Sequence, residues 1–340
     1  MSVFIGIDVS KATLDIATDC GSQHICLPNT ITGYKRLNKW LQKQGQVSQI
    51  AMEASGRYGE NVARFLVEKD YAVSYLNPKQ IHKFSQMKLH YSKTDKQDAL
   101  LIAEYCKIFK PDLYQPRSDL QRRLQQCSRR LDQLKKMRQQ EVNRLKSGLS
   151  DNFVCKQIET LIAYFDTLIK HTKNAIHDLI MSDDNLAQQH RLLNSIKGVG
   201  DTTANLIISE INIADFASAS QLAAYIGITP QHFQSGTSVN KRSSISKQGN
   251  ARLRAGLYMP AIVAKRWNPP CRNLAQRLKD KQKPGKVIVI AVMRKLVRQI
   301  FAILKSGIPF EPNFGIGGLH MKSQWKDNGC KKWGIHELRE

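Results

Sequence analysis

Two short apolar runs near the start of the chain each stop at a carboxylate. Val3 to Ile7 (VFIGI) leads into Asp8, and Ile50 to Met52 leads into Glu53. Apolar runs of this length, bounded by turn signals, read as buried strands rather than helices. An acid at the end of a buried strand is costly unless something compensates its charge. The layout of the surrounding segment decides what these two carboxylates are for.

SVFIGID, TLDIAT and HICLP form three short strands separated by turn-sized gaps. A helix follows from Tyr34 to Gln44, then the strand IAMEA ending at Ala54, a helix in YGENVARFLVEKD, the strand AVSYL, and helical pieces up to Phe109. Three strands, helix, strand, helix, strand, helix over residues 1–110 is an α/β plan. It matches the element order of ribonuclease-H-like folds. In that plan the first and fourth strands are neighbours, which brings Asp8 and Glu53 together. Asp95 and Asp98 stand three apart in KTDKQDALLIAEY, on one face of a helix start. The last helix packs beside the two strands and delivers both to the same place.

Four converging carboxylates repel one another when ionised. A divalent cation removes that conflict, and an all-oxygen set with room for phosphate oxygens suits magnesium. Bound magnesium can orient a phosphodiester and stabilise its attacking and departing oxygens. Each acid alone has a plainer reading, Asp8 as a turn cap and Asp95 as a helix cap beside Thr94. Glu53 has none so easy, because it ends an apolar strand. Sugar-kinase and actin-like ATPases also begin with a strand ending in Gly-x-Asp. They need a small Gly/Thr-rich phosphate turn next, where this chain has Val9-Ser10-Lys11, and a later adenosine motif that is not evident.

Pro111 and Pro116 bracket a linker. Beyond it Leu120, Leu124, Cys127, Leu131 and Leu134 recur at alternating spacings of four and three. Ile158, Leu161, Phe165, Leu168 and Ile176 follow a similar register. Residues 117–185 therefore read as a helical hairpin or coiled coil, held by core packing within one chain or by a dimer contact. Residues 190–310 read as a mostly α domain. Within it, Gly198-Val199-Gly200 joins two apolar helical stretches in the manner of a helix-hairpin-helix, whose free amides can hold a phosphate; tight helix packing is the alternative. Residues 311–340 read as a weakly ordered tail.

Lysine and arginine total 52 against 28 acids, for a net charge of +24. From Gln234 to Ser306 there are 17 basic residues against the single acid Asp280, a net of +16. That excess calls for a polyanion, and nucleic acid is the leading partner. The seven cysteines form no CxxC pair, which argues against disulfides and structural zinc and suits a reducing cytoplasm. MSVFIGIDVSK has no signal-peptide layout, and no apolar run reaches membrane-spanning length. The expectation is a cytoplasmic protein with no membrane partner.

GIDVSK, MEASGRYGENVA, NPKQIHKFSQ with KTDKQDA, IKGVGDTTA, AAYIGITPQHFQSGTSV and ISKQGNARLRAGLYMPA stand in order along the chain. Together they resemble the DEDD transposases of bacterial insertion sequences, a group that includes Piv-type invertases and bridge-RNA-guided recombinases. The resemblance implies a RuvC-like N-terminal domain, a helical hairpin used in assembly and a C-terminal transposase domain. It implies magnesium bound by Asp8, Glu53, Asp95 and Asp98, and a serine nucleophile at Ser235, in Ser235-Gly236. It also implies a homo-oligomer, since in such enzymes the two sites come from different subunits. Some relatives use a non-coding guide RNA. The absence of a base-reading module from so basic a chain makes RNA pairing an attractive source of sequence choice. His232 stands three residues before Ser235, but the resemblance supplies no histidine base there. The expected activity is DNA recombination, with Lys241, Arg242, Lys247, Arg252 and Arg254 on backbone phosphates. A RuvC-like Holliday-junction nuclease using water, and a non-catalytic nucleic-acid scaffold, are the competing readings.

Overall fold

The computed structural model describes residues 2–21, 23–53, 58–89, 94–235 and 239–312, with the backbone alone described over 232–235 and 239–243. The expected tail at 311–340 falls, from residue 313 on, outside the described residues. The chain divides into two compact units, Met1–Ser118 and Asp119–Glu340.

The first unit is a five-stranded mixed sheet with helices on both faces. Its strands are β1 (Val3–Val9), β2 (Thr13–Thr18), β3 (His24–Pro28), β4 (Val47–Glu53) and β5 (Val73–Leu76). They lie in the order β3-β2-β1-β4-β5, with β1–β2 and β2–β3 antiparallel and β1–β4 and β4–β5 parallel. Its helices are α1 (Ile31–Leu41), α2 (Glu60–Val67), α3 (Pro78–Met87) and α4 (Asp95–Phe109). The first helix starts earlier than its apolar spacing suggests because the Thr30 hydroxyl accepts from Gly33 N–H and caps it.

Alternation along β1 sorts its residues between the two faces. Ile5, Ile7 and Val9 join Leu37 and Leu66 in one core, while Phe4 joins Ala51, Leu101, Ile102 and Cys106 in the other. Gly6 lies on the second face, directly beneath α4. A Cβ there would sit 2.0 Å from the Ala99 carbonyl oxygen and 2.4 Å from the Ala103 amide nitrogen. The segment with Pro111 is held along the sheet edge, as Tyr114 N–H donates to Val73 O and Gln49 Nε2 to Pro111 O.

The second unit is mostly helical. It opens with the long pair α5 (Asp119–Leu145) and α6 (Asn152–Met181). Leu124, Leu131 and Leu134 of the heptad stripe are buried with Ile169 and Ile176, whereas Leu161, expected on the packed face, is 45% exposed. Met137, Phe153, Val154 and Tyr164 are exposed on the same pair. Then come α7 (Asp184–Asn194), α8 (Asp201–Glu210), α9 (Ala219–Ile226), β6 (Pro230–Ser235), β7 (Val239–Ile245), α10 (Ala251–Gly256), α11 (Tyr258–Trp267), α12 (Pro269–Asp280) and α13 (Gly285–Ser306). β6 and β7 pair antiparallel, with Ser235 opposite Val239. These strands hold few apolar residues, so backbone pairing rather than hydropathy defines them.

Replacing Gly6 with valine should destabilise the first unit by about 3 kcal/mol, since overpacking against helix backbone has no side chain to displace. Gly285→Ala, where an added Cβ meets nothing within 4 Å, should be neutral or stabilising. Thermal unfolding of the two variants checks the contrast.

Candidate active site

In the β1–β4 ladder Gly6 pairs with Ala51 and Ile7 with Met52, so Asp8 and Glu53 are the next residues in line. Both fall on the α4 face, two residues beyond Gly6 and Ala51. At the start of α4 the Thr94 hydroxyl accepts from Gln97 N–H and caps the helix, and Asp95 and Asp98 stand in its first turn. Negative charge is favourable there, next to unpaired helix amides. The turn after Asp8 is tied down by Asn29, whose Nδ2 donates to Ser10 O at 2.8 Å and to Tyr58 O at 3.1 Å. Tyr34 Oη donates to Asn29 Oδ1 and fixes the amide's orientation.

The electrostatics record the gathering of these acids. Burial, then the carboxylates of Asp98, Asp95, Glu53 and Asp15 in that order, push the Asp8 carboxyl up to about 6. Asp98, Asp95 and Glu53 are thus each near enough for their charge to be felt at Asp8. Among the described residues, no group of three or more His, Cys, Asp or Glu side chains is already gathered closely enough to hold a metal ion. The donor set itself fits a hard divalent cation, because it offers only carboxylate oxygens and their mutual repulsion is already felt at Asp8.

In the second unit Ser235 ends β6, and its side chain lies outside the described residues, as do those of His232, Lys241 and Arg242. The chain beyond β7 is tied to the end of α9 and the residues after it by Ser246 N–H to Thr229 O, Lys247 N–H to Gly227 O and Asn250 N–H to Tyr225 O. Lys247 is exposed. Arg252 is not. Its Nη1 donates to Glu210 Oε1 at 2.7 Å, its Nε to Asp132 Oδ2 at 2.5 Å and its Nη2 to Ser128 O and Oγ at 2.8 Å. Arg254 Nη1 donates to Ile226 O. Arg252 is thus held by internal partners and Arg254 by one backbone carbonyl, and a phosphate contact by either remains a proposal.

Glu210 is the centre of that network and only 1% exposed. It accepts from Arg129 through both oxygens, and from Arg252, Asn250 and Gln125. Burial pushes its carboxyl up, but these partners outweigh burial and leave it below the ordinary carboxylate range. The two glycines of the Gly198-Val199-Gly200 turn differ. A Cβ on Gly198 would meet Ala264 and the Pro260 carbonyl of α11 at about 3 Å, so packing accounts for it. Gly200 caps α8 with open space beside it.

Comparison with known proteins places this geometry. A family model described as "Transposase", of the DEDD IS110 type, matches residues 5–154, a range that includes Asp8, Glu53, Asp95 and Asp98. A second, "Transposase IS116/IS110/IS902 family", matches residues 190–276, which include Ser235. The pilin gene-inverting protein of Moraxella bovis is 31% identical over 91% of this chain and 97% of its own length. That of Moraxella lacunata is 32% identical over the same shares. The insertion element IS110 uncharacterized 43.6 kDa protein of Streptomyces coelicolor is 26% identical over 37% of this chain and 31% of its own. The chain belongs to the IS110 family of transposases. It is a DNA-recombining enzyme.

Two residues of this transposase escaped the sequence reading. Asp15 pairs with Asp8 across the β1–β2 ladder, is nearly buried, and is bonded by His24 Nε2 at 3.1 Å and approached by the Cys26 thiol. Its signal was an acid in the apolar strand TLDIAT, two positions from the expected turn. Glu210 ends an apolar helix, IISE, much as Glu53 ends IAME. No helix among the described residues is long and apolar enough to cross a membrane.

The two perturbed carboxyls titrate in opposite senses. A raised Asp8 stabilises the fold while protonated, and that contribution is lost as pH rises from 3.8 to about 6. Asp8→Asn should therefore raise the metal-free melting temperature at pH 7 by a few degrees, with the gain vanishing below about pH 4. A lowered Glu210 stabilises the fold above the ordinary carboxylate range, and that contribution is lost as pH falls through its depressed value. Glu210→Gln should cost about 2–4 kcal/mol at pH 7, because it leaves two arginines short of their counter-charge. It should also flatten the acid limb of the stability profile. Thermal melts from pH 3 to pH 8 measure both.

Proposed function

We propose that this transposase cuts and rejoins DNA through a covalent protein–DNA intermediate, with Ser235 as nucleophile and Asp8, Glu53, Asp95 and Asp98 as a magnesium site. The observation that carries the reading is the raised Asp8 carboxyl, whose causes include the three other acids. The strand order of the first unit supports a ribonuclease-H-like, RuvC-like domain over residues 1–110. A helical hairpin over 117–185 and a transposase domain with a helix-hairpin-helix over 190–310 complete the proposed division.

In this mechanism the Ser235 hydroxyl attacks a phosphodiester. A serine–phosphorus ester forms as the bond from phosphorus to the departing sugar oxygen breaks, and the phosphoester energy is kept for rejoining. Magnesium, when bound, would polarise the phosphate and stabilise the departing oxygen. The acids hold that ion and orient it. Lys241, Arg242 and Lys247 bind backbone phosphates and give affinity without sequence information. Gly200 leaves the α8 amides open to a further phosphate.

The two Moraxella relatives are gene-inverting proteins, which supports site-specific recombination as the reaction of this chain. Met137, Phe153, Val154, Leu161 and Tyr164 are exposed on α5 and α6 and support assembly into a homo-oligomer through that hairpin. Guidance by a non-coding RNA accords with the concentration of positive charge without a base-reading module.

The test is adduct trapping on a cognate DNA junction with magnesium. Wild type should yield a covalent protein–DNA species, and Ser235→Ala should abolish it. Asp8→Asn or chelation should reduce it by at least about a hundredfold, the scale of losing a main electrostatic contributor. Strand cleavage by Ser235→Ala at the wild-type rate would instead favour a RuvC-like nuclease using water.

A further inference from the structure

α3 lies on the same side of the sheet as the acids of the first unit and begins at their end of it. In the parallel β4–β5 ladder Glu53 pairs with Leu76, and the next residue, Asn77, caps α3. The Asn77 side chain accepts from Lys79 N–H while the Gln80 side chain accepts from Asn77 N–H, and Pro78 opens the helix. Such a reciprocal cap fixes where the helix starts. Its inner face is fixed as well. Ile81 and Phe84 pack with Ala51, Leu76, Leu101 and Tyr105, and the Phe84 and Tyr105 rings meet edge-on at 5.4 Å.

With the inner face occupied, the helix period gathers Lys79, His82 and Lys83 on the outer one, at spacings of three and four. All three are exposed, and with Pro78 they line an open hollow of about 430 Å³. α3 contains no acid. The ion pairs among the described residues of the first unit are His24–Asp15, Arg64–Glu68, Lys88–Glu104 and Lys107–Asp19, and none of them takes Lys79 or Lys83. Lys88, just past the helix, is by contrast used internally, paired with Glu104 and lying over the Phe84 ring. Two ammonium groups and an imidazole N–H call for an anion. Lys79 and Lys83 are about 6 Å apart along the helix axis, comparable to the step between neighbouring phosphates of a strand. An open hollow beside such a row suits a polyanion passing over it better than a small anion needing enclosure.

We propose that the Lys79–His82–Lys83 face of α3 binds backbone phosphates of the DNA strand presented to the acids of the first unit. The proposal rests on the reading of those acids as the catalytic site. Lys79 and Lys83 each neutralise a phosphate, and His82 donates an N–H between them. Because α3 starts where β5 ends beside Glu53, a strand lying on its first turns is led to the ends of β4 and β1. These contacts carry no sequence information and act on affinity and position.

The full-length protein is titrated in EDTA, over a range of salt, with a cognate DNA junction and with RNA of matching sequence. Lys79→Gln with Lys83→Gln should weaken DNA binding about tenfold and lower the salt slope by about two. Lys39→Gln with Lys43→Gln makes the same charge change on α1, which packs on the opposite face of the sheet, and should leave the slope unchanged. All four lysines are exposed, so both double variants should melt as wild type does. Neutral methylphosphonates are then placed singly along the DNA strand. Within a few nucleotides of the point of strand exchange, at least one should weaken wild type yet cost the Lys79/Lys83 double variant nothing further. Equal losses from the two lysine pairs would overturn the proposal. So would a loss confined to RNA, or methylphosphonate penalties that are the same in wild type and double variant. Binding in EDTA needs neither magnesium nor Ser235. A protein that shows this coupling but traps no covalent adduct keeps the phosphate-binding face and loses the cutting chemistry instead.

Discussion

The first unit depends on the contact between α4 and the middle of the sheet at Gly6. A helix normally rides about a side chain's length above a sheet, but here its backbone comes down to the strand itself, at a position where even a methyl group would overlap Ala99. Small residues on both partners, Gly6 and Ala51 below and Ala99 and Ala103 above, make that approach possible. The consequence is chemical. Asp8 and Glu53 follow Gly6 and Ala51 along the same face, and Asp98 immediately precedes Ala99, so this close packing lies next to the acids. The sheet order then adds Asp15 from the other neighbour of β1.

The second unit is organised around an opposite arrangement, a buried carboxylate with every reason to stay ionised. Glu210 ends α8 and gathers Arg129 and Gln125 from α5, and Asn250 and Arg252 from the start of α10. Buried ion pairs of this kind gain little over apolar packing, yet breaking one partner is costly. Their value is in fixing position. Asn250 and Arg252 lie just beyond the β6–β7 hairpin, so the network determines where the chain that carries Ser235 rejoins the helical core.

Much of this was legible in the residues. The apolar runs ending in acids identified the strands of the first unit, because burial of a parallel strand on both faces leaves a continuous apolar signature. Asp8 and Glu53 stood out for the same reason, since an acid is conspicuous at the end of an apolar run, whereas Asp95 and Asp98 were singled out by their spacing at a helix start. The β6–β7 hairpin was not legible, because Ser, Lys, Arg and Gln alternate there without an apolar face and only backbone pairing defines it. Nor was the internal role of Arg252. A basic residue in a basic stretch reads as a phosphate ligand, and its partners Asp132 and Glu210 lie 120 and 42 residues away in sequence. Long-range charge pairing leaves no local pattern to read.

The contrast between Asp8 and Glu210 sorts the acids of this transposase by what they can do. Both are withdrawn from water, and burial alone raises both. At Glu210 the surrounding cations and amides reverse the effect, which satisfies the charge and leaves the group nothing further to bind. At Asp8 the neighbours are other carboxylates, and they add to the effect of burial. A fold that were only stabilising itself would have placed a lysine, an arginine or an apolar residue at one of these positions. Basic side chains are abundant in this chain, at 52 of 340 residues, yet among the described residues none is a cause of the Asp8 shift. Asp8 is therefore a group whose charge its described neighbours oppose rather than balance, and that is what favours a hard cation as the ligand proposed for it.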